Sequence, residues 1–570
     1  MKKDKEKQIK EKNVEKKKNK KGKLKKHINI NVNFTIVAII LIAIFCVCVT
    51  PVTFQNDTYY TIKIGELIKN NGIDMMDHFS WHENLSYTYP HWLYDFFTYL
   101  IYSIGGFKGV YIITCVLSAI LGISIFLVNS KLTKSKSISF IITMGVIYAL
   151  KPYIAARAQL VTFILFIWEL FFIEKFIENR KIGYGIGLIL ISTLIANLHV
   201  ATWPFFFVLF LPYIVEYLIA IVSDIIIYKK CKILVIKHKM KKAQKKNDIE
   251  RLKELQIKLQ EQEDKNLKIK DKRENKNNSY KLVIKRRENV KFLIIIMIIC
   301  AFTGLLTPLG DTPYTYLYKT MKGNTTQNIS EHLPLTLINN TNAMCVLVIF
   351  LAILIFTKTK IRLSDLFMLS GLCYLMFSTR RQFSIFVLIC SVILTKFIVD
   401  LINTYTKKGI KEFEEAFRNV LVVISLTVLI GLMSYDAAKP KLDDKFVDSK
   451  SYPVEACDYI LENIDLSKAR FYNEYNYGSY MLFRGIPVFI DSRADLYAPE
   501  FSGLKDDIFT DFIDVSSIGT FYEDILEKYN ITHVILYSNS KMSMIIDETK
   551  DPHYSKIYKD DYFVIYERGK

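Results

Sequence analysis

The sequence predicts an α-helical polytopic membrane protein of about eleven spans that ends in a small C-terminal α/β domain. Three observations lead to this fold class. Hydrophobic residues make up 51% of the 570-residue chain, and they come in long blocks such as FTIVAIILIAIFCVCVT at 34–50. A helix needs roughly 20 apolar residues to cross a hydrocarbon core of about 30 Å. Charge is sorted into separate segments, and the apolar blocks stop at Asp436.

The basic charge is concentrated in two segments. Residues 1–27 contain 14 lysines and 4 acidic residues, and residues 229–291 contain 23 basic and 9 acidic residues. The last segment, 437–570, is acidic, with 16 basic and 24 acidic residues. Basic segments beside membrane spans stay in the cytoplasm and are attracted to anionic lipid. The net charge of +20 therefore indicates membrane lipids as partners and not nucleic acid.

Eleven apolar segments are candidate spans. If the basic N-terminus is cytoplasmic, every loop predicted inside carries a cluster of Lys or Arg, and only Arg380 and Arg381 are basic residues that break this pattern outside. The charge pattern thus predicts a multi-pass protein of the cell membrane with an extracytoplasmic C-terminal domain. The candidate spans are 34–51, 107–128, 138–154, 159–177, 184–199, 203–227, 292–309, 343–357, 363–378, 383–402 and 419–435.

Five segments follow from these boundaries. They are a basic cytoplasmic tail (1–33), a first membrane part with a large outer loop at 52–106 (34–228), a basic helical cytoplasmic loop (229–291), a second membrane part (292–436) and an extracytoplasmic α/β domain (437–570).

Local patterns predict several elements outside the spans. The aromatic stretch 93–104 is typical of an interfacial helix. The loop 229–291 has Leu and Ile at helical spacing without Pro or Gly, which predicts a solvated helical hairpin or short coiled coil. In the C-terminal segment the patterns predict helices at 451–464 and 521–530, and strands at 469–475, 481–491, 532–538 and 562–569.

The segments predicted outside hold an unusual set of polar side chains at span ends. Such groups are costly near a bilayer and tend to be functional. Asp57 follows the first span and would suit a general base that activates a hydroxyl acceptor. The alternative is a solvated acidic residue of the loop without a catalytic role. Asp77 would be a second carboxylate that positions substrate or metal.

A divalent metal is a second possibility in this loop. Asp77, His78, His82, Glu83 and His91 could supply ligands, but their spacing matches no tight metal motif, and hydrogen-bonded loop histidines are the alternative. The metal therefore stays unknown. No Walker A, GxSxG, HExxH or GxGxxG pattern is present, so soluble nucleotide chemistry has no support.

Other candidate substrate-binding residues come from distant parts of the chain. Arg157, Arg380 and Arg381 could hold a lipid phosphate, because a guanidinium makes bidentate contacts to phosphate; snorkelling at the interface is the alternative. His91, His199 and Glu331 would face the same outer cavity. For His199, a hydrogen bond between packed helices is equally plausible.

An ordered set of short motifs resembles the GT-C glycosyltransferase superfamily of bacterial polytopic membrane proteins, which includes protein O-mannosyltransferases and aminoarabinose lipid A transferases. The resemblance implies a sugar donor on a polyprenyl phosphate, an acceptor outside the membrane and an acid in the first outer loop. Asp57 matches the position of that acid and Asp77 that of the second carboxylate. The motifs are DTYYTIKIGELI (57–68), GIDMMDHFS (72–80), HWL (91–93), ANLH (196–199), TPLG (307–310), RRQFSIF (380–386) and YNYGSYML with FIDSRADLY (475–497).

Two functions are consistent with the sequence. The first is an inverting membrane glycosyltransferase that uses a polyprenyl-phosphate-linked sugar. The second is a non-catalytic membrane protein for lipid or glycan transport or for envelope assembly. Charged residues within spans would favour transport, but they are few, and Glu169 and Glu216 are the main candidates. The small number of charged residues within the spans therefore favours the transferase over the transporter.

Overall fold

The computed structural model describes residues 33–227, 230–246, 248–275 and 281–569, so the predicted basic tail at 1–33 falls almost entirely outside the described residues. The described chain is mostly helical. Its helices before the C-terminal segment are α1 Phe34–Val49, α2 Asn56–Asn71, α3 Trp92–Thr133, α4 Lys136–Leu150, α5 Ala158–Asn179, α6 Ile182–Leu198, α7 Trp203–Val208, α8 Leu211–Ile227, α9 Lys230–Lys245, α10 Ile249–Asn275, α11 Val290–Ala301, α12 Thr312–Lys322, α13 Thr325–Asn328, α14 Thr341–Phe356, α15 Leu363–Ser378, α16 Phe383–Tyr405, α17 Ile410–Ala416 and α18 Val420–Ala438.

Four helical segments are long and apolar enough to cross a membrane: Trp92–Thr133, Val200–Ile226, Arg380–Tyr405 and Val420–Lys441. Five shorter apolar helices accompany them, and all eleven predicted spans fall on helices. The helical character of these segments is thus confirmed, whereas the number of crossings and their orientation stay predictions.

The longest helix, α3, is broken near its start. Gly106 has φ 58° and ψ −154°, a conformation that side chains with a Cβ rarely adopt. This break separates a short aromatic arm, which covers the predicted interfacial helix at 93–104, from the long apolar part that follows. The change of direction lets one continuous segment begin beside the C-terminal segment and end deep among the other helices.

The basic loop after α8 forms the predicted helical hairpin. Helices α9 and α10 pack against each other, with Ala243 and Leu255 buried between them and Lys237 3.9 Å from Glu263. Most other described side chains of the hairpin are exposed, as its charged composition predicts.

The C-terminal segment combines helices with a four-stranded sheet. The strand order is β3-β4-β6-β5, with β3 parallel to β4 and the other pairs antiparallel. Two-residue strands β1 (Leu282–Val283) and β2 (Ile361–Arg362) pair elsewhere in the chain. The elements of the segment are α19 Val454–Asn463, β3 Phe471–Tyr472, α20 Tyr475–Phe483, α21 Pro499–Ser502, α22 Ile508–Ser517, α23 Tyr522–Lys528, β4 His533–Tyr537, α24 Lys541–Thr549, β5 Tyr554–Lys559 and β6 Phe563–Arg568.

The sequence located most, but not all, of these elements. The strands at 532–538 and 562–569 and the helices at 451–464 and 521–530 are confirmed. The predicted strand at 481–491 is wrong, because its first residues end helix α20 and the rest runs as irregular buried backbone. Its continuous apolar run reflects burial, which a helix end and a strand share. The polar strand β5 was missed.

The loop at 52–106 and the C-terminal segment share one hydrophobic core. Buried side chains from both, including Tyr59, Tyr89, Tyr477 and Val488, form a single cluster. Direct hydrogen bonds join them as well: Trp81 Nε1 donates to the Phe471 carbonyl at 2.9 Å. The loop is therefore an integral part of the C-terminal fold, and its first third is helix α2, which the sequence did not predict.

Candidate functional site

A polar cavity of about 340 Å³ lies where the C-terminal segment meets the helix ends. Its walls come from residues 55–61, 86–91, 157–159, 199–201, 316, 329–332, 381 and the 475–501 region. Each of these stretches belongs to a segment that the charge pattern predicts on one and the same side. The structure therefore brings the predicted outer segments together at one site.

Asp57 lies in the first turn of α2, directly on the cavity wall. Two close approaches hold this helix. A Cβ on Gly65 would sit 2.1 Å from the carbonyl oxygen of Asp95, so α2 and α3 can meet only at a glycine. At the start of α2, Asn56 Nδ2 donates to the carbonyl of Tyr475 at 2.8 Å. The position of Asp57 is thus set by α3 on one side and by the C-terminal segment on the other.

Arg157 links two carboxylates of the cavity. Its Nη2 contacts Asp57 Oδ2, and its Nη1 donates to Glu331 Oε1 at 3.2 Å. Burial would lower the pKa of Arg157, but the two carboxylates outweigh it and raise that pKa. Burial would likewise raise the pKa of Glu331, and the cations Arg157 and Arg381 lower it. We call these three residues, Asp57, Arg157 and Glu331, the cavity triad.

The cavity triad retains free hydrogen-bonding capacity. The side chains of Asp57, Arg157 and Glu331 are 17%, 24% and 47% exposed. Asp57 Oδ1 has no hydrogen-bond partner among the residues that the structure describes. An acceptor hydroxyl could therefore reach this oxygen without displacing Arg157.

Arg380 and Arg381, adjacent in sequence, differ in position. Arg381 lines the cavity, and within the described part of the chain its guanidinium has neither an ion pair nor a hydrogen bond. Arg380 does not line the cavity, and its Nε is buried without a partner among described residues. Only Arg381 is placed to meet an anion in the cavity.

His91 and His199 form an edge-to-face pair on the cavity wall, with ring centroids 4.8 Å apart. His199 Nδ1 lies 2.9 Å from Thr162 Oγ1, which itself donates to the Ala158 carbonyl at 3.1 Å. For His91, burial first and the nearby Arg381 second lower the pKa to about 3. His91 is therefore neutral in the structure at physiological pH.

Asp77 is not on the cavity wall. Its Oδ1 accepts from Arg493 Nη1 at 2.6 Å, and its Oδ2 accepts from the backbone and hydroxyl of Ser80 at 2.9 and 2.6 Å. Arg493 in turn makes a bidentate contact with Asp491, at 2.9 and 2.7 Å. Burial would raise the pKa of Asp77, but Arg493 outweighs it and lowers that pKa. We call Asp77, Asp491 and Arg493 the buried triad.

The buried triad connects the first loop to the C-terminal segment. Its three side chains are at most 2% exposed, and Arg493 also lies over the rings of Phe79 and Tyr87. Arg493 nevertheless reaches the cavity wall. Asp77 therefore touches the cavity only through its arginine partner.

The other acids and histidines of the first loop lie apart from one another. His78 pairs with Asp74 at 2.6 Å, and His82 Nε2 lies 2.9 Å from the carbonyl of Phe489. Burial lowers the pKa of His82 to about 4. Among the described residues, no group of three or more His, Cys, Asp or Glu side chains is arranged to hold a metal ion. His78 and His82 therefore each contact a different part of the fold, and whether the protein uses a metal stays open.

Sequence reasoning did not single out several cavity residues. Tyr316, Tyr475, Asn476 and Gln159 line the cavity, where the Tyr316 hydroxyl donates to Asp495. Tyrosine is common throughout this chain, so no composition signal distinguishes these positions.

Comparison with known proteins was made at the level of sequence and of fold. No protein-family model and no curated protein matches the chain. The structure resembles the crystal structure of the oligosaccharyltransferase of Archaeoglobus fulgidus in its apo form, with a TM-score of 0.51 and 10% identity over 88% of this chain and 69% of that chain. The same enzyme tethered to an acceptor peptide aligns with a TM-score of 0.48 and 10% identity over 94% and 74% of the two chains.

At 10% identity this likeness concerns the fold alone. It agrees with the motifs that resemble GT-C proteins, which were found independently along the chain. The chain therefore shares its overall fold with an archaeal oligosaccharyltransferase.

Proposed function

We propose that this protein is a membrane glycosyltransferase that moves a sugar from a polyprenyl-phosphate donor to an acceptor hydroxyl outside the cytoplasm. The observation that carries the proposal is the arrangement of Asp57, Arg157 and Arg381 in one cavity. There a carboxylate stands beside two guanidinium groups, and among the described residues one of its oxygens and one of the guanidinium groups have no partner. Sugar transfer from a phosphate needs both a proton acceptor and cations for the departing phosphate.

The proposed reaction is a single displacement that inverts the sugar. The acceptor oxygen attacks the anomeric carbon and loses its proton to Asp57 Oδ1. The bond between that carbon and the phosphate oxygen breaks, and its electron pair leaves with the polyprenyl phosphate. Arg381 and Arg157 would stabilise the charge that develops on the phosphate, since preorganised cations lower such a barrier.

Asp77 would act on this reaction indirectly. In the proposal its carboxylate holds Arg493 against the cavity wall, where the arginine helps to orient the donor. His199 would support His91, and Glu331 would fix Arg157 from the side opposite Asp57. Arg380 would contribute only through the backbone, which accepts a hydrogen bond from Tyr153 at 3.1 Å.

The orientation of the protein follows from the same proposal. Polyprenyl-phosphate sugars are amphiphilic, so the cavity would open at the membrane surface. The charge pattern would put this surface on the extracytoplasmic side, with the basic hairpin in the cytoplasm. Labelling Cys457 would test the orientation after mild opening of the fold, because its thiol is fully buried in the native chain.

Transport of a lipid or glycan is the second candidate, and Glu169 is the observation in its favour. Its side chain is fully buried in α5, and neither carboxylate oxygen has a hydrogen-bond partner among described residues. Glu216, by contrast, accepts from the backbone N–H of Lys285 at 3.1 Å. A transporter would move labelled polyprenyl-phosphate sugar across a reconstituted bilayer without releasing the sugar.

The direct test compares the wild type with Asp57→Asn. Both proteins are purified and incubated with a panel of polyprenyl-phosphate sugars, and release of the sugar is measured. We expect turnover by the wild type and a loss of about 100- to 10,000-fold in the variant, the usual contribution of a general base. Glu83→Gln is a matched control, because Glu83 lies on the same loop and does not line the cavity.

The outcomes separate the two functions. If the wild type neither binds nor cleaves any donor of this class, the transferase proposal fails. If it moves the intact donor across vesicles without cleavage, the transport alternative replaces it. Equal turnover by wild type and Asp57→Asn would remove Asp57 from the role of base.

A further inference from the structure

The His91–His199 pair has no task in the reaction as described above, although it occupies the cavity wall. Neither ring nitrogen of His91 has a hydrogen-bond partner in the part of the chain that the structure describes. His91 is half-buried and sits directly before α3, so its ring has little freedom to turn away. A loop histidine that served only to support the fold would have used at least one nitrogen, as His78 and His82 do.

His199 contacts a neighbouring hydroxyl through one ring nitrogen. Thr162 Oγ1 lies 2.9 Å from His199 Nδ1 and 3.1 Å from the carbonyl oxygen of Ala158, and its single proton can serve one of these two acceptors at a time. Among the described residues, Nε2 of His199 and both ring nitrogens of His91 have no hydrogen-bond partner, so they are available to a ligand in the cavity.

The surroundings of the pair explain why it is uncharged. The charged and titratable groups that line the same cavity are Asp57 and Tyr60 from α2, Tyr87 from the first loop, Arg157 from the start of α5, Tyr316 from α12, Glu331 and His332 from the segment before α14, Arg381 from the start of α16, and Tyr475, Arg493 and Asp495 from the C-terminal segment. The carboxylates of Asp57 and Glu331 are already bound by Arg157. Burial is the first cause of the lowered pKa of His91, and the unpaired guanidinium of Arg381, which repels a proton, is the second.

We propose that His91 takes up a proton when the phosphate of the donor enters the cavity, and that the resulting imidazolium becomes a third cation for the departing phosphate. An anion bound at Arg381 offsets the positive charge of that guanidinium, which together with burial keeps the imidazole neutral. A nearby opposite charge raises the affinity of a base for protons. The empty cavity thus avoids three mutually repelling cations, and the loaded cavity gains a charge at the moment when the phosphate needs it.

The balance of charge in the proposed transfer agrees with this role. The donor is a phosphodiester with one negative charge. When the bond to the sugar breaks, the electron pair leaves with the phosphate and makes it a monoester with a second negative charge. An imidazolium at His91 could donate its proton to that oxygen, and the proton that Asp57 took from the acceptor would then be released to solvent.

This inference rests on the proposed function, and it is tested by binding instead of turnover. The probe is farnesyl methyl phosphate, a short polyprenyl phosphodiester that stays singly ionised across the measured range. Titration calorimetry of the full chain, in two buffers of different ionisation enthalpy, counts the protons taken up with the probe. We expect uptake of about half a proton near pH 5.5 and almost none near pH 8, with binding roughly twofold tighter at the lower pH.

Matched variants assign the proton. His91→Gln should abolish the uptake and the pH dependence while the probe still binds at the arginines. His78→Gln is the control, since His78 lies on the same loop, is exposed and pairs with Asp74 outside the cavity. Glu331→Gln should keep the uptake, which excludes that carboxylate as the proton acceptor.

Failure of this inference and failure of the proposed function give different results. If the wild type does not bind the phosphodiester at all, both are overturned. If the wild type binds it without proton uptake, or if His91→Gln keeps the uptake, only the role of His91 is overturned. Absence of proton uptake by the wild type overturns the role of His91 even if the variant does not fold.

Discussion

Two arginines of this protein, Arg157 and Arg493, each lie between two carboxylates, yet their surroundings are opposite. Arg493 is 2% exposed and saturated by Asp77 and Asp491. Arg157 is 24% exposed, and its partner Asp57 keeps one oxygen free. Both arginines reach the same cavity wall. Arg493, each of whose nitrogens is bound by a carboxylate, acts mainly on the stability of the fold, whereas Arg157 lies beside an Asp57 oxygen that has no partner among the described residues and can meet a substrate.

The buried triad has a clear energetic consequence. Removing one member of a buried ion network leaves the others as unpaired buried charges, which costs about 3–5 kcal/mol. The cavity triad is solvated, and pairs of that kind contribute about 0–1 kcal/mol. The buried triad should therefore affect mainly the stability of the protein and the cavity triad mainly its activity, and four experiments test this difference.

The largest effect is expected for Arg493→Met. This change leaves the carboxylates of Asp77 and Asp491 buried without a cation, and we expect a loss of about 3–5 kcal/mol or failure to fold. The measurement is thermal unfolding of the purified protein in detergent. Arg484→Met is the matched control, since Arg484 pairs with Asp458 at the surface of the same segment and should cost less than about 1 kcal/mol. Equal losses for the two variants would contradict the distinction.

Arg157→Met should show the reverse pattern. Its unfolding temperature should stay close to that of the wild type, because Asp57 and Glu331 remain in contact with water in the cavity. Release of sugar from a polyprenyl-phosphate donor should fall by about 100-fold or more, because a preorganised cation at the phosphate is lost. Turnover at the wild-type rate would show that the cavity triad, like the buried one, only supports the fold.

Variants of the neighbouring residues Arg381 and Arg380 test whether an arginine on the cavity wall without an ion pair among the described residues binds the substrate. Arg381→Gln should weaken binding of a polyprenyl phosphate by about tenfold, the effect of one lost hydrogen bond to a charged group. Arg380→Gln should bind as the wild type does, because Arg380 is not on the cavity wall. Equal losses of affinity in the two variants would contradict the prediction that Arg381, and not Arg380, contacts the bound phosphate.

The smallest effect concerns stability at mildly acidic pH. Burial and Arg381 lower the pKa of His91 to about 3, so the folded chain binds no proton there while the unfolded chain does so below its ordinary value of 6.5. The stability that neutral His91 contributes is complete above pH 6.5 and is lost as the pH falls towards 3. For Asp77 the pKa is lowered from 3.8, so its contribution is lost only at still lower pH.

The change in thermal stability between about pH 7.5 and pH 5 should therefore come from His91 and not from the buried triad. We expect His91→Gln to lose less stability over this range than the wild type, by on the order of 1 kcal/mol. The control His78→Gln should follow the wild type. A parallel decline of all three proteins would show that His91 does not titrate in this way.

The motifs of the sequence predicted much of this arrangement. Positive-inside counting assigned Asp57, Arg157, His199, Glu331 and Arg381 to one side, and the structure brings them to one cavity. Lipid-facing blocks and basic loops are local properties of the chain, so they can be read without knowledge of contacts. The helix over 56–71 was missed although Tyr60, Ile64, Leu67 and Ile68 stand at helical spacing, because the acids and histidines that follow led the whole stretch to be interpreted as a loop.

The sequence did not predict that Asp57 lines the cavity whereas Asp77 belongs to the buried triad. Asp57 and Asp77 lie in the same loop, and each is followed within a few positions by two aromatic residues. Which of them reaches the cavity depends on partners far along the chain: Arg157 is 100 residues from Asp57, and Arg493 is 416 residues from Asp77. Only packing of the first loop on the C-terminal segment assigns these partners.

Taken alone, the sequence determined the helical segments, the basic hairpin and the group of polar side chains at one end of the helices. These features depend on composition, periodicity and charge within short windows, which set local conformation and side preference. The tertiary structure alone decided which arginine is saturated and which is free, that Arg381 and not Arg380 enters the cavity, and that His91 lies open beside it. Exposure and spare hydrogen bonds arise only when distant segments pack together, because they are properties of the space between elements.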